Sequence, residues 1–172
     1  RFIPVGGGWA KNQVNVTIFR KNAVISHGSI QYTAWYDGDG RVMLAKRRLG
    51  TDGWETAVTP YTGRVADAHN GICLAVDGNG ILHMSWNHHG DPLNYCRSVA
   101  PGSLELTAPM PMTGEYESRV TYPEFFALPG GGLLFMYRDG SSGNGVTMLN
   151  RYDTATGEWT PVQHPLIDGE GL

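Results

Sequence analysis

Apolar and polar positions alternate with a period of two along much of this chain, and turn residues break the alternation every few positions. That pattern predicts short, half-buried β-strands. The clearest case is a pair of apolar runs at 72–76 and 81–86, joined by Asp77-Gly78-Asn79-Gly80. Tight hairpin turns need residues that tolerate positive φ, so this link is a strong hairpin signal. An antiparallel hairpin sets the start of its first strand beside the end of its second. His69 and Asn70, before the first run, are therefore predicted to lie near His88 and His89, after the second.

The pattern repeats. Trp35, Trp86 and Tyr137 each end a short apolar run, and they are spaced by 51 and 51 residues. Each run follows a turn, at His27-Gly28, Gly78-Asn79 and Pro129-Gly130-Gly131. A third run follows each, at 42–47, 93–97 and 146–152, and two repeats close on a Trp beside a turn, Trp54 and Trp159. A repeat of about 50 residues built from four short strands is the mark of a propeller blade; a sandwich is the alternative that regular short strands also allow. The fold class read from the chain is all-β, a partial β-propeller of about three and a half four-stranded blades. The blades are placed at 14–60, 69–117 and 118–162, with a further one starting at 163–172, all within one domain. Residues 14–19 alternate like a strand, 61–68 connect two blades, and 100–117, with Pro101, Pro109 and Pro111, read as an irregular crossover with room for one outer strand. No amphipathic helix is visible. Ile30, Trp35, Leu44, Ile72, Leu74, Ile81, Met84, Trp86, Phe125, Leu134, Met136 and Tyr137 form the predicted core. Propellers close with about four to eight blades, so the open faces require cover, by self-association or by the remainder of a propeller.

Composition narrows the function without naming it. The 24 Gly and 10 Pro suit a chain of tight turns, and a formal charge of −3 without a basic cluster gives no footprint for nucleic acid. No apolar run approaches the roughly 18 to 20 residues of a membrane-spanning helix. The sequence begins Arg1-Phe2-Ile3-Pro4, so the lack of a visible targeting segment carries no information. Cys73 and Cys96 fall on strands separated by one other, about 10 Å apart at ordinary strand spacing, which is too far for a disulfide. Free, buried thiols are expected.

Candidate chemistry gathers at the same point of each hairpin. His69 and Tyr122 precede or open first strands, while His88, His89 and Arg138 close second strands. First strands of a propeller line its channel, so these groups are predicted to converge at one mouth. Arg20, Lys21 and Asn22 hold the matching place in the first blade, with Asp37 and Asp39 at its other end; the first three would suit an anionic sugar. Arg119 and Arg64 are further anion contacts. The structural alternatives are specific. His69 could simply complete a turn, Tyr122 could line the channel, held extended by Pro123, and Arg138 could pair with Asp139 at the surface. Strand alternation sends His88 and His89 to opposite sides. His83, inside an apolar strand, reads as structural.

Asp67-x-His69-Asn70, the Asp-Gly-x-Gly turn, His88-His89-Gly90, and Val120-Thr121-Tyr122-Pro123-Glu124 followed by residues 133–138 together resemble the BNR-repeat propellers that include ulvan lyases. The resemblance covers about residues 20–162. Thr51-Asp52-Gly53-Trp54 and Thr156-Gly157-Glu158-Trp159 depart from the Asp-box signature typical of such blades. The resemblance implies a polysaccharide lyase with His69 and Tyr122 as base and acid, His89 lining the site, and Arg138 neutralising a substrate carboxylate. Asn70, His88, Arg119, Arg20 and Lys21 become substrate contacts. It also implies a secreted or periplasmic protein acting on an anionic polysaccharide, with no cofactor and no metal.

Those residue types suit β-elimination from a uronate. A proton beside a carboxylate is weakly acidic until the carboxylate is neutralised, and the Arg fork does that with two hydrogen bonds. A His base matches working pH, and a Tyr hydroxyl can protonate the leaving oxygen. Two other functions compete: a glycoside hydrolase on the same platform, sialidase-like or otherwise, and a non-catalytic glycan-binding module. A hydrolase would want a carboxylate pair or a Tyr nucleophile; Glu124 is close by, without a clear partner.

Overall fold

A computed structural model describes residues 2–12, 22 and 24–169. Among these the chain is all-β, with twelve strands in three antiparallel sheets and no helix. The first sheet is a meander in chain order: β1 (Ile25–His27), β2 (Ile30–Tyr36), β3 (Arg41–Arg48) and β4 (Glu55–Thr62). The second contains β5 (Ile72–Val76), β6 (Leu82–Trp86) and β8 (Tyr95–Arg97), with one isolated bridge beyond them, Ser98 to Leu106. The third has the order β12 (Glu158–Asp168), β11 (Asn144–Asp153), β10 (Leu133–Ser141), β9 (Val120–Ala127) and β7 (His89–Asp91).

The three predicted hairpins form where the turn residues lie. His27 pairs with Ile30, Val76 with Leu82, and Ala127 with Leu133. In the second hairpin the Asp77 carboxylate accepts the backbone N–H groups of Asn79 and Ile81, both at 2.9 Å, and so substitutes for part of the turn's backbone bonding. Asp37 does the same for Asp39 and Arg41. The tips of the second and third hairpins touch. Gly78 donates its N–H to the Gly131 carbonyl at 2.8 Å, and a Cβ on Gly131 would lie 2.5 Å from the Gly78 Cα. Only glycine permits that approach.

The core lies in two layers between successive sheets. Strand β5 shows why, since alternate side chains take opposite faces. Ile72, Leu74 and Val76 join Tyr32, Ala34, Tyr36 and Leu44 of the first sheet, whereas Cys73 and Ala75 join Phe125, Phe135 and Tyr137 of the third. The 51-residue aromatics keep one orientation. Trp86 faces the first sheet and Tyr137 faces the second. Trp35 lies on the face of β2 opposite Ala34 and Tyr36, where its indole donates to the Gly7 carbonyl at 2.8 Å. Each therefore points toward the sequence that precedes its own sheet. Trp35 is only half-buried for that reason, and Leu134 and Met136 are half-buried because they occupy the face of β10 turned away from Phe135 and Tyr137. Ile30, Leu74 and Ile81 are also half-buried; the other predicted core residues are buried.

Four expectations need correction or fall outside the described residues. His89–Asp91 is not a loop of the second repeat. It forms β7, which pairs with β9 and so belongs to the third sheet. Asn87, at φ 63°, turns the chain away from β6, and the Gly90 N–H bonds to the Thr121 hydroxyl at 2.8 Å. Residues 163–168 do not begin a new unit but remain in β12, where Asp168 still pairs with Val146. The crossover at 100–117 supplies a single bridge instead of an outer strand. Residues 14–19, with Arg20 and Lys21, lie outside the described residues. Both cysteines are free, with β6 between their strands as the spacing implied; Cys96 is buried as expected, whereas Cys73 is only half-buried.

Candidate active site

His69 sits in the loop that leads into β5. That loop is fixed by its own polar groups: Asp67 N–H bonds to the Arg64 carbonyl, Asn70 N–H to the Asp67 carbonyl, and the Asn70 amide to the Arg64 carbonyl at 3.1 Å. Across the hairpin, Asn87 accepts the Arg64 backbone N–H at 2.7 Å. His89 arrives on β7, where its backbone N–H bonds to Asp91 and Arg64 pairs with the same Asp91 oxygen. The two imidazoles meet as predicted, with ring centroids 4.4 Å apart.

One carboxylate holds both rings. Asp67 Oδ1 accepts from His69 Nδ1 at 2.9 Å and from the His69 backbone N–H at 3.0 Å, while Oδ2 accepts from His89 Nδ1 at 2.7 Å. Partial burial works against its charge, but these hydrogen bonds outweigh burial and hold the Asp67 carboxyl well below the usual carboxylate range. An ionised carboxylate accepts only, so each of these bonds needs a hydrogen on Nδ1.

Tyr122 reaches the pair through a bulge. Glu124 lies opposite Met136 and Thr121 opposite Arg138, which leaves Tyr122 and Pro123 together across from Tyr137. Tyr122 is not extended, as the following proline implied; its φ of 52° is left-handed. Such a backbone costs about 1–3 kcal/mol in a residue other than glycine, and bulges of this kind re-aim a side chain. Here the ring is aimed at the histidines, 6.2 Å from His69 and 6.0 Å from His89, near-parallel to the latter at 27°. Arg138 lies over the same ring with its guanidinium carbon 5.1 Å from the centroid, steadied by a 3.2 Å bond from Nε to the Gly140 carbonyl. Asp139 does not pair with Arg138. Alternation sends it to the other side, where it accepts from Arg119 at 3.3 Å through both oxygens.

A cavity of about 510 Å³ is lined by His89, Arg119, Thr121, Tyr122, Arg138 and residues 90 and 140–142. Among the described residues no Asp or Glu lines it. His69 abuts this group through its contacts with the rings of His89 and Tyr122. A second cavity of about 410 Å³ is bordered by Tyr95, Arg97, Glu115, Glu158 and Trp159, and no histidine lines it among the described residues.

The remaining sequence candidates divide. Arg119 borders the cavity. His88 does not: it is 1% exposed, accepts the Asn94 backbone N–H through Nε2 at 2.8 Å, and burial lowers its pKa to about 3. Asn70 is likewise buried and braces the loop. Arg64 is committed to Asp91. His83 is structural, bonded to Tyr95 and Asp77 inside the core. Asp67 had no role assigned from sequence, although it stands two residues before His69 and its spacing was the available signal. Among the described residues, Asp67, His69 and His89 are the three whose donor atoms lie within 4.8 Å of one another, but those atoms already satisfy one another as hydrogen-bond donors and acceptor.

Sequential antiparallel sheets, a 51-residue repeat and a cavity lined by histidine, tyrosine and arginine define a repeat-built all-β protein. The chain belongs to the BNR repeat-containing family, whose model matches residues 30–172. It is similar to the long isoform of ulvan lyase from Alteromonas sp. (strain LOR), with 29% identity over 81% of this chain and 19% of the relative. The corresponding Pseudoalteromonas sp. (strain PLSV) protein is 28% identical with the same coverage. The chain thus spans about a fifth of the length of these curated relatives. Among solved structures, the polysaccharide lyase Uly1 matches with a TM-score of 0.73 at 20% identity, over 91% of this chain and 47% of that one. The PL25 ulvan lyase matches with a TM-score of 0.67 at 15% identity, over 92% and 39%. Both share the fold.

Proposed function

We propose that this chain carries the catalytic centre of a secreted polysaccharide lyase that cleaves a uronate-containing, ulvan-like glycan by β-elimination. Its three sheets are successive blades of a propeller, and the rest of the complete protein, or another copy, covers the open faces. The observation that supports the reading is a cavity lined by His89, Tyr122 and Arg138, with no carboxylate lining it among the described residues, and His69 in contact with the rings of His89 and Tyr122. The relatives with this fold include a PL25 ulvan lyase described as bound to -[GlcA(1-4)Rha3S]-, a repeating glucuronate and sulfated rhamnose.

In this scheme Arg138 neutralises the uronate carboxylate and so acidifies the neighbouring C–H. His69 Nε2 takes that proton. The electron pair forms a C=C bond as the glycosidic C–O bond at the β carbon breaks, and the Tyr122 hydroxyl donates its proton to the leaving oxygen. His89 and Arg119 hold the sugar. A glycoside hydrolase using two carboxylates finds no such pair in the cavity. The test compares a uronate polysaccharide with its carboxyl-reduced form. A lyase depolymerises only the first; equal cleavage of both overturns the reading, and so does binding to the first without cleavage.

A further inference from the structure

Asp67 is hydrogen-bonded to the rings of both histidines, and its geometry goes beyond a single positioning contact. Each carboxylate oxygen takes a different imidazole: Oδ1 holds His69 Nδ1 at 2.9 Å and Oδ2 holds His89 Nδ1 at 2.7 Å. Oδ1 also accepts the His69 backbone N–H, which fixes the carboxylate against rotation. The loop carrying Asp67 is anchored independently through Arg64, Asn70 and Asn87, and β7 is anchored through Asp91. The carboxylate is therefore a staple between the loop before β5 in the second repeat and a strand of the third sheet. We propose that Asp67 is a shared positioning residue which locks His69 and His89 in the same Nδ1–H tautomer, so that proton exchange on either ring is confined to Nε2.

The proposal rests on the lyase reading for its catalytic consequence, but not for the tautomers themselves. When His69 takes the substrate proton at Nε2, its ring becomes an imidazolium with two N–H groups. Asp67 stabilises that charge without accepting the proton, because the Nδ1–H bond to Oδ1 persists. Among the described residues, the charged and titratable groups that face the pair include Asp67, Tyr122, Arg138, and Asp91 with Arg64 behind it. The same carboxylate orients His89 at 4.4 Å from His69. One side chain thus sets the protonation pattern of two.

Asp67→Asn tests this with little change of shape. The amide keeps one acceptor oxygen, enough for the His69 backbone and one ring, but turns the other oxygen into a donor. The second imidazole must then accept at Nδ1 and carry its hydrogen on Nε2. Nitrogen-15 NMR of the histidine side chains, in the intact protein and its variant, reads the tautomers directly without any substrate. The wild type should show both His69 and His89 as Nδ1–H, and Asp67→Asn should switch one of them to Nε2–H. Unchanged tautomers in a folded variant overturn the proposal, whatever the enzyme's activity proves to be. Steady-state kinetics supply the second arm. In a catalytically active wild type, Asp67→Asn should lower kcat by about 10²-fold or more, with KM within about threefold, as expected when tautomer but not binding is lost. A wild-type kcat in a variant whose tautomer has switched overturns the catalytic part alone. Where the wild type does not cleave, the lyase reading fails and the NMR result still decides the role of Asp67.

Discussion

His69 and His89 are 20 residues apart in sequence and their rings lie 4.4 Å apart in space. The hairpin of β5 and β6 brings the chain back to its start, and β7 then carries His89 onto the neighbouring sheet. The site is thereby built at a junction between two repeats. It draws His69 from the second and Tyr122 and Arg138 from the third, so neither repeat alone contains it.

Arg138 should matter more than its charge. Its Nε is committed to the Gly140 carbonyl, and this aims the remaining edge of the guanidinium past Tyr122. Arg138→Ala should cost about 3–4 kcal/mol of transition-state stabilisation, as for other preorganised electrostatic contacts. Arg138→Lys keeps the charge but loses the planar fork, and it should recover only part of that loss. Steady-state kinetics on a uronate polymer measure both; full activity in Arg138→Lys would show that the fork is not used.

Proton transfer should divide between His69 and Tyr122. His69→Ala and Tyr122→Phe are each expected to lower kcat by about 10² to 10⁴-fold. Tyr122→Gly offers a separate readout. It removes the strain of a left-handed residue and should leave stability equal or higher while abolishing activity. A strongly destabilised Tyr122→Gly would assign the ring a packing role.

The glycine contact between hairpin tips predicts a stability effect far from the chemistry. Gly131 has φ 90° and faces the Gly78 backbone at a distance no side chain allows. Gly131→Ala should destabilise the fold by about 1–3 kcal/mol. Urea unfolding checks this, and an unchanged midpoint would mean that the two tips separate freely.

Stability should fall as the solution is acidified. Below about pH 6.5 an unfolded histidine takes a proton, while buried His88 stays neutral down to about pH 3. The unfolded state binds more protons in that window, so each pH unit of acidification removes about 1.4 kcal/mol for this residue. His83 acts in the same direction, since burial lowers its pKa despite the bond to Asp77. The depressed Asp67 carboxyl adds stability that is present above the ordinary carboxylate value of 3.8 and lost as pH falls below it. His88→Gln, which keeps an acceptor for the Asn94 N–H, should flatten the slope between pH 6.5 and 4. An identical slope would remove His88 from this account.

The parts legible in the sequence were those that local chemistry dictates. Asp77-Gly78-Asn79-Gly80 specified its hairpin because the Asp side chain completes the turn, and the meeting of His69 with His89 followed from that hairpin alone. Other features depended on neighbours that no local pattern reveals. Tyr122 was read as extended because Pro123 follows it, yet a bulge opposite Tyr137 overrides that preference. His88 and His89 differ only by strand alternation, and nothing local says which of them faces the core. The pairing of β7 with β9 joins segments some 30 residues apart, so the sequence showed a loop where the structure has a strand. Asp67 was passed over because its value lies in bridging two rings, one of which arrives from the next sheet.

The central claim is that this site eliminates and does not hydrolyse. The most direct measurement follows ultraviolet absorbance and new reducing ends together, while the intact protein acts on a uronate-containing polysaccharide. Elimination predicts that absorbance from the unsaturated uronate rises in step with reducing ends, one for one, and that Arg138→Ala suppresses both. Reducing ends that accumulate without absorbance would contradict the account and assign the site to a hydrolase.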